Sequence, residues 1–121
     1  MGTGNIRESA YIKLRRFGLD VFFPIGGFGG DHELRTDVIS SAIQESGDYY
    51  QLAFEPSSIW IIGDTLADID AAHQAGAKAL AVATGLESLE ALEHSSAEAV
   101  LNNLENTSLV ISIFCKTINY K

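Results

Sequence analysis

The chain has 121 residues, 46% apolar and 20% charged, which is enough for one hydrophobic core without covalent staples and argues against disorder. Its net charge of −8, from 16 acids against 8 bases, repels phosphate backbones and disfavours nucleic acid as a partner. No apolar run approaches the ~18–20 residues of a membrane span, the N-terminus lacks the basic and apolar regions of a signal peptide, and the single cysteine, Cys115, excludes an internal disulfide or a cysteine-based zinc cluster, so a cytoplasmic location is expected.

The pattern alternates helical periodicity with short apolar runs, the mark of an α/β chain with a parallel sheet. A first helix is predicted over 6–17, with Ile6, Ala10, Leu14 and Phe17 on one face. Asn5 is the expected N-cap, Glu8 stands three residues on, and Gly18 is the stop. Its basic residues Lys13, Arg15 and Arg16 read as a solvated face. Residues 19–25 read as a short strand or extended segment limited by Pro24, and 26–31 as a glycine-rich loop. A second helix is predicted over 31–46, burying Leu34, Val38, Ile39, Ala42 and Ile43 and ended by Gly47, with a polar irregular stretch over 48–58.

Residues 59–62 form the clearest strand. They are apolar at every position, as expected where helices cover both faces of a sheet, and Trp60 is expected to pack under a helix. Gly63-Asp64-Thr65 turns the chain into a helix over 66–75, stopped by Gly76. A second buried strand is predicted over 78–84, then helices over 86–93 and 97–104. Residues 109–114 are apolar and fit either a helix or a strand. No internal repeat or second domain is present in the pattern, and 1–121 reads as one domain.

Three motifs could carry chemistry. Asp64 stands at the carboxyl end of the clearest strand, where open α/β sheets bind ligands, and Asp68 follows on the first turn of the next helix. Two such carboxylates suit a hard cation such as Mg²⁺; the alternative is that Asp64 caps the helix and Asp68 complements its dipole. Thr3-Gly4-Asn5 precedes a helix, and a hydroxyl with free backbone N–H groups suits a phosphate; the alternative is capping by Asn5. Arg35 follows the glycine-rich loop, where it either reaches a phosphate or is solvated. The loop is not a dinucleotide fingerprint, which argues against a nucleotide-binding domain. His32 lies near that loop; His73 and His94 read as packed or surface residues, Tyr49 and Tyr50 as cover for an irregular segment, and Cys115 as a core or terminal thiol.

Taken in order, Thr3-Gly4-Asn5, the Phe-Gly loop followed by Arg35, and Gly63-Asp64-x-x-x-Asp68 resemble the haloacid dehalogenase-like (HAD) hydrolase superfamily, phosphatase-type. The similarity runs over 3–114, and 75–85 fits the fifth strand of that core and its loop. The resemblance implies a three-layer, Rossmann-like parallel sheet, here incomplete at its N-terminus and without a cap domain. It implies Mg²⁺-dependent hydrolysis of a small phosphorylated metabolite through an aspartyl-phosphate. Thr3, with Gly4 and Asn5, matches the phosphate-binding hydroxyl residue, Arg35 the basic residue beside the phosphate, and Asp64 and Asp68 the metal ligands. The family's first motif, a strand ending in Asp-x-Asp-x-Thr, does not occur in the sequence; Asp68-Ile69-Asp70 lies within a helical pattern. The nucleophile, the strand leading into Thr3 and the cap are therefore expected to be missing, and the 121 residues to be inactive alone and self-associating through an exposed sheet edge. The alternative reading is a non-catalytic binding module that uses that edge.

Overall fold

Gly2–Thr3 (β1) pairs in parallel with Gly27–Phe28 (β2), Gly2 opposite Gly27 and Thr3 opposite Phe28. This small sheet belongs to the first of two compact units, Met1–Phe54; the second begins at Glu55. The chain is described by a computed structural model over residues 1–115.

In the first unit, the helix α1 runs over Arg7–Arg15, with Glu8 in its first turn and Lys13 and Arg15 in its last, complementing the helix dipole. Of the predicted stripe only Ala10 is buried, while Ile6 and Phe17 are exposed. The N-cap is Ile6, which offers no side-chain bond, so Asn5 is not the cap. Gly18 leaves the helix with φ +65°. Residues 20–22 form a 3₁₀ turn and not a strand: Val21 and Phe22 face solvent, and without a neighbouring strand their backbone closes locally, Phe22 N–H onto Leu19 and Phe23 N–H onto Asp20.

The glycine-rich stretch is not an open loop. Gly27 N–H donates to the Met1 carbonyl, and Gly29 N–H to those of Thr3 and Asn5. A Cβ on Gly27 would collide with the Val38 carbonyl, and one on Gly29 with the Gly4 carbonyl. The glycines are therefore a packing device that lets β2 lie against both β1 and a helix. That helix, α2, spans Arg35–Tyr50, displaced by four residues at each end from the sequence expectation. Asp31 N–H turns back onto Phe28, which keeps 31–34 outside the helix and leaves Leu34 exposed. Val38 and Ile39 are buried. Gly47 lies within the helix, where a glycine is tolerated at a cost of about 1 kcal/mol. The stop is Gln51, in the left-handed region at φ 53°, with its N–H on the Gly47 carbonyl. Tyr49 and Tyr50 thus close a helix and stack edge to face at 4.9 Å.

The second unit is a three-stranded parallel sheet in the order β3-β4-β5: Trp60–Gly63 (β3), Lys78–Val82 (β4) and Ala99–Leu101 (β5). Leu66–Gln74 (α3) crosses from β3 to β4, and Leu89–Glu93 (α4) precedes β5. The central strand is β4, buried from Ala79 to Val82, whereas β3, the clearest strand in the sequence, is an edge of this sheet with Ile62 48% exposed. The core gathers Ile69, Ala72, Ala79, Ala81 and Leu92. Residues 97–104 hold β5 and not a helix. Helix-favouring alanine, glutamate and leucine are overridden by pairing: Glu98 N–H donates to the Ala79 carbonyl and Ala83 N–H to that of Leu101. The apolar tail resolves as a helix, Thr107–Cys115 (α5). Its Phe114 packs on Trp60 with ring centroids 5.5 Å apart, and Cys115 is exposed, not a core thiol.

Both sheets are parallel throughout and flanked by helices, the α/β class expected. The strand into Thr3 is present as β1, contrary to the expectation that it is missing. No helix among the described residues is long and apolar enough to cross a membrane.

Candidate functional site

The predicted site residues fall into two groups, one in each unit. In the first, β1 delivers Thr3 into the turn that leads to α1. The Thr3 hydroxyl accepts from the Asn5 N–H at 3.2 Å and from the Asn5 amide at 2.9 Å. A hydroxyl has two lone pairs and one proton, so with both acceptors engaged its remaining capacity is to donate. Asn5 is fixed in turn by Lys13, whose ammonium donates to its Oδ1 at 2.9 Å. Lys13 is thus part of the construction of this turn and not only a solvated charge.

Arg35 is the first residue of α2, and its guanidinium reaches across to Gly4: a Cβ there would stand 3.9 Å from Nη1. The structure therefore brings Thr3, Gly4, Asn5 and Arg35 together. A cation in the first turn of a helix opposes the dipole, which favours an anion at that end; an anion bound there would meet both the helix end and a guanidinium. A cleft of about 340 Å³ opens here, lined by Gly4, Gly29, His32, Glu33, Arg35 and Val38. In the sequence His32 stands near the loop, able to approach a substrate but with no ligand role expected, and Glu33 carries no signal; neither belongs to a motif, and only the turn at 31–34 brings them to the cleft.

In the second unit, Asp64 follows the last residue of β3 and Asp68 lies in the first turn of α3. The cap of that helix is Thr65, not Asp64: its Oγ1 accepts from the Asp68 N–H at 3.2 Å and donates to the Asp68 carboxylate at 2.9 Å. The Thr-x-x-Asp spacing at 65–68 is the sequence signature of this cap. Asp68 is 5% exposed, the only buried charged side chain among the described residues. Its carboxylate lies over Gly63, where a Cβ would press on Cβ, Cγ and Oδ2 of Asp68. Asp64 lies in the same manner over Gly85, in the segment after β4. Both carboxylates are thus held at the carboxyl end of this sheet by glycines that leave them room, as at ligand-binding ends of parallel sheets.

Two carboxylates are a hard-oxygen donor set of the size Mg²⁺ takes, the remaining positions falling to water and phosphate oxygens. No group of three or more His, Cys, Asp and Glu is arranged to hold a metal among the described residues. Asp70 is exposed on α3, away from any strand end, as its helical pattern predicts. His73 bonds Glu98 at 3.2 Å and Ser96 at 3.3 Å, and His94 the Glu90 carbonyl at 2.7 Å.

A family model described as HAD-hyrolase-like matches residues 35–107, more than half of the chain, and takes in Arg35, Asp64 and Asp68. No curated protein matches the chain. Among solved structures, a Thermotoga maritima protein assigned as a beta-phosphoglucomutase is similar over 91% of this chain and 50% of its own, with a TM-score of 0.73 and 21% identity. A predicted phosphatase from Clostridium acetobutylicum is similar over 92% of this chain and 50% of its own, with a TM-score of 0.68 and 21% identity. The chain therefore spans about half the length of the structures it matches, and shares their Rossmann-like fold.

Proposed function

Because the chain belongs to the HAD-like hydrolase family, we propose that it carries the phosphate-binding and metal-binding parts of a phosphohydrolase acting on a small phosphorylated metabolite. The observation that carries this reading is Arg35 in the first turn of α2, reaching Gly4 beside the Thr3 hydroxyl. Arg35 neutralises and orients the phosphoryl group, and Thr3 donates its hydroxyl proton to a phosphoryl oxygen while Asn5 and Lys13 hold it in place.

Asp64 and Asp68 would hold Mg²⁺, with Thr65 orienting Asp68. Bound there, the ion supplies charge compensation between an anionic nucleophile and the phosphate. The nucleophile in this reading is an aspartate of an Asp-x-Asp element, which forms an aspartyl-phosphate that water then hydrolyses. That element is not among the 121 residues, and the part of the reaction we assign to these residues is the binding of phosphate and metal. The single cysteine is exposed, in keeping with a reducing, cytoplasmic setting.

The test is binding by the full chain. Titrations with inorganic phosphate and with Mg²⁺, followed by calorimetry, should each give a saturable isotherm. Absence of phosphate binding would overturn the phosphate reading, and absence of Mg²⁺ binding the metal reading. Mg²⁺-dependent hydrolysis of an aryl phosphate by this chain, abolished in Asp64→Asn, would overturn the assignment of the nucleophile elsewhere.

A further inference from the structure

The cleft beside Arg35 holds more than a phosphate needs. Its lining includes Glu33 and His32 from the turn between β2 and α2, and no motif of the phosphate reading calls for either. A volume of about 340 Å³ is at the small end of ligand sites, enough for a phosphoryl group and a short organic remainder. The lining carries one guanidinium, which reaches toward Gly4, together with one carboxylate and one imidazole. A carboxylate repels a second anion on the ligand and accepts hydrogen bonds from hydroxyls, and an imidazole can donate or accept.

We infer that Glu33 and His32 select the remainder of the substrate, and that the cleft takes the phosphate monoester of a small polyol in preference to one bearing a second anionic group. The inference rests on the phosphate reading of Arg35. Glu33 is exposed, so solvent screens its effect, and a discrimination of several-fold, not of orders of magnitude, is expected.

The experiment uses a matched pair of probes, glycerol 3-phosphate and 3-phosphoglycerate, which differ in carrying a hydroxymethyl or a carboxylate at the far carbon. Inorganic phosphate is the common reference, and binding to the full chain is read by calorimetry at pH 8. The unaltered chain should bind glycerol 3-phosphate at least fivefold tighter than 3-phosphoglycerate. In Glu33→Gln that ratio should fall to within twofold, chiefly through tighter 3-phosphoglycerate binding. In His32→Ala glycerol 3-phosphate should weaken severalfold while inorganic phosphate is unchanged. If inorganic phosphate binds but the two esters bind alike, or if the ratio survives Glu33→Gln, the selectivity is overturned and the phosphate reading stands. If neither inorganic phosphate nor either ester binds, both fall together.

Discussion

Gly85 makes room for the Asp64 carboxylate: a Cβ at position 85 would fall inside contact distance of the Asp64 Oδ2. The relation joins the segment after β4 to the residue that follows β3, and it makes a loop glycine part of the candidate metal centre. Gly85→Ala should displace the Asp64 carboxylate and weaken Mg²⁺ binding about tenfold, equivalent to ~1.4 kcal/mol. Far-ultraviolet circular dichroism should remain that of the unaltered chain. Mg²⁺ affinity unchanged in Gly85→Ala would sever the link between this glycine and the ion.

Thr65 does two things, accepting from the Asp68 N–H and donating to the Asp68 carboxylate. Thr65→Val keeps the shape and loses both. The helix cap alone is worth about 1 kcal/mol, which should appear as a fall of a few degrees in Tm. Mg²⁺ affinity should fall in parallel, because a buried carboxylate that loses a hydroxyl donor is held less firmly in its orientation. Thr65→Ser should restore both readouts.

Arg35→Ala should weaken inorganic phosphate binding at least tenfold, since a charge-assisted hydrogen bond contributes roughly 1.5–3 kcal/mol. Arg35→Lys should recover part of the loss, keeping the charge but not the forked geometry. Retention of full phosphate affinity in Arg35→Ala would remove the guanidinium from the site.

Acid should loosen the second unit through Glu98. Burial by itself raises the Glu98 pKa, but the Ala79 N–H, bonded at 2.6 Å, and the His73 imidazole outweigh it, and the carboxyl sits below its ordinary value. A group whose pKa is depressed on folding stabilises the fold above its unfolded pKa, near ~4.3 for glutamate, and loses that contribution as pH falls through the folded value. Stability measured by urea unfolding should therefore decline below about pH 4.3, and Glu98→Gln should flatten this limb and lower stability at neutral pH. An acid limb unchanged in the variant would assign it to other carboxylates.

The edge strand β3 leaves Ile62 48% exposed, and an apolar edge invites pairing with another chain. We expect sedimentation velocity to show association that grows with protein concentration, and Ile62→Lys to suppress it. A monomer across the whole concentration range would show that the edge is protected in solution.

The sequence made the second unit nearly readable. β3, β4 and α3 lie within a few residues of their expected places because glycines bound them and apolar runs fill them. It misled where partners decide conformation. Residues 99–101 became β5 because β4 offers a free row of carbonyls and N–H groups, and residues 20–22 became a turn because no strand stands beside them. The glycine-rich stretch looked like a loop because pairing through backbone alone leaves no side-chain pattern. The aspartates and Arg35 were legible as types in order. Of their supports, Thr65 stands in a legible Thr-x-x-Asp spacing, whereas Gly85 and Lys13 were not legible, because each acts through a contact between elements or within a turn.

Trp60 is the chain's one tryptophan, and its indole Nε1 is buried without a hydrogen-bond partner among the described residues. With Phe114 against the ring and the Lys78 ammonium 5.6 Å from its centroid, the half-buried chromophore is packed on residues of the second unit. Its emission is therefore a local optical gauge. It should lie at short wavelength in the folded chain and shift to the red when β3 and α5 come apart. Melting of the first unit, whose Tyr11 hydroxyl is tied to the Phe23 carbonyl at 2.7 Å, would have to be followed through tyrosine absorbance instead. Three of the four tyrosines lie in the first unit and the one tryptophan in the second, so the two signals weight the two units differently, without a label.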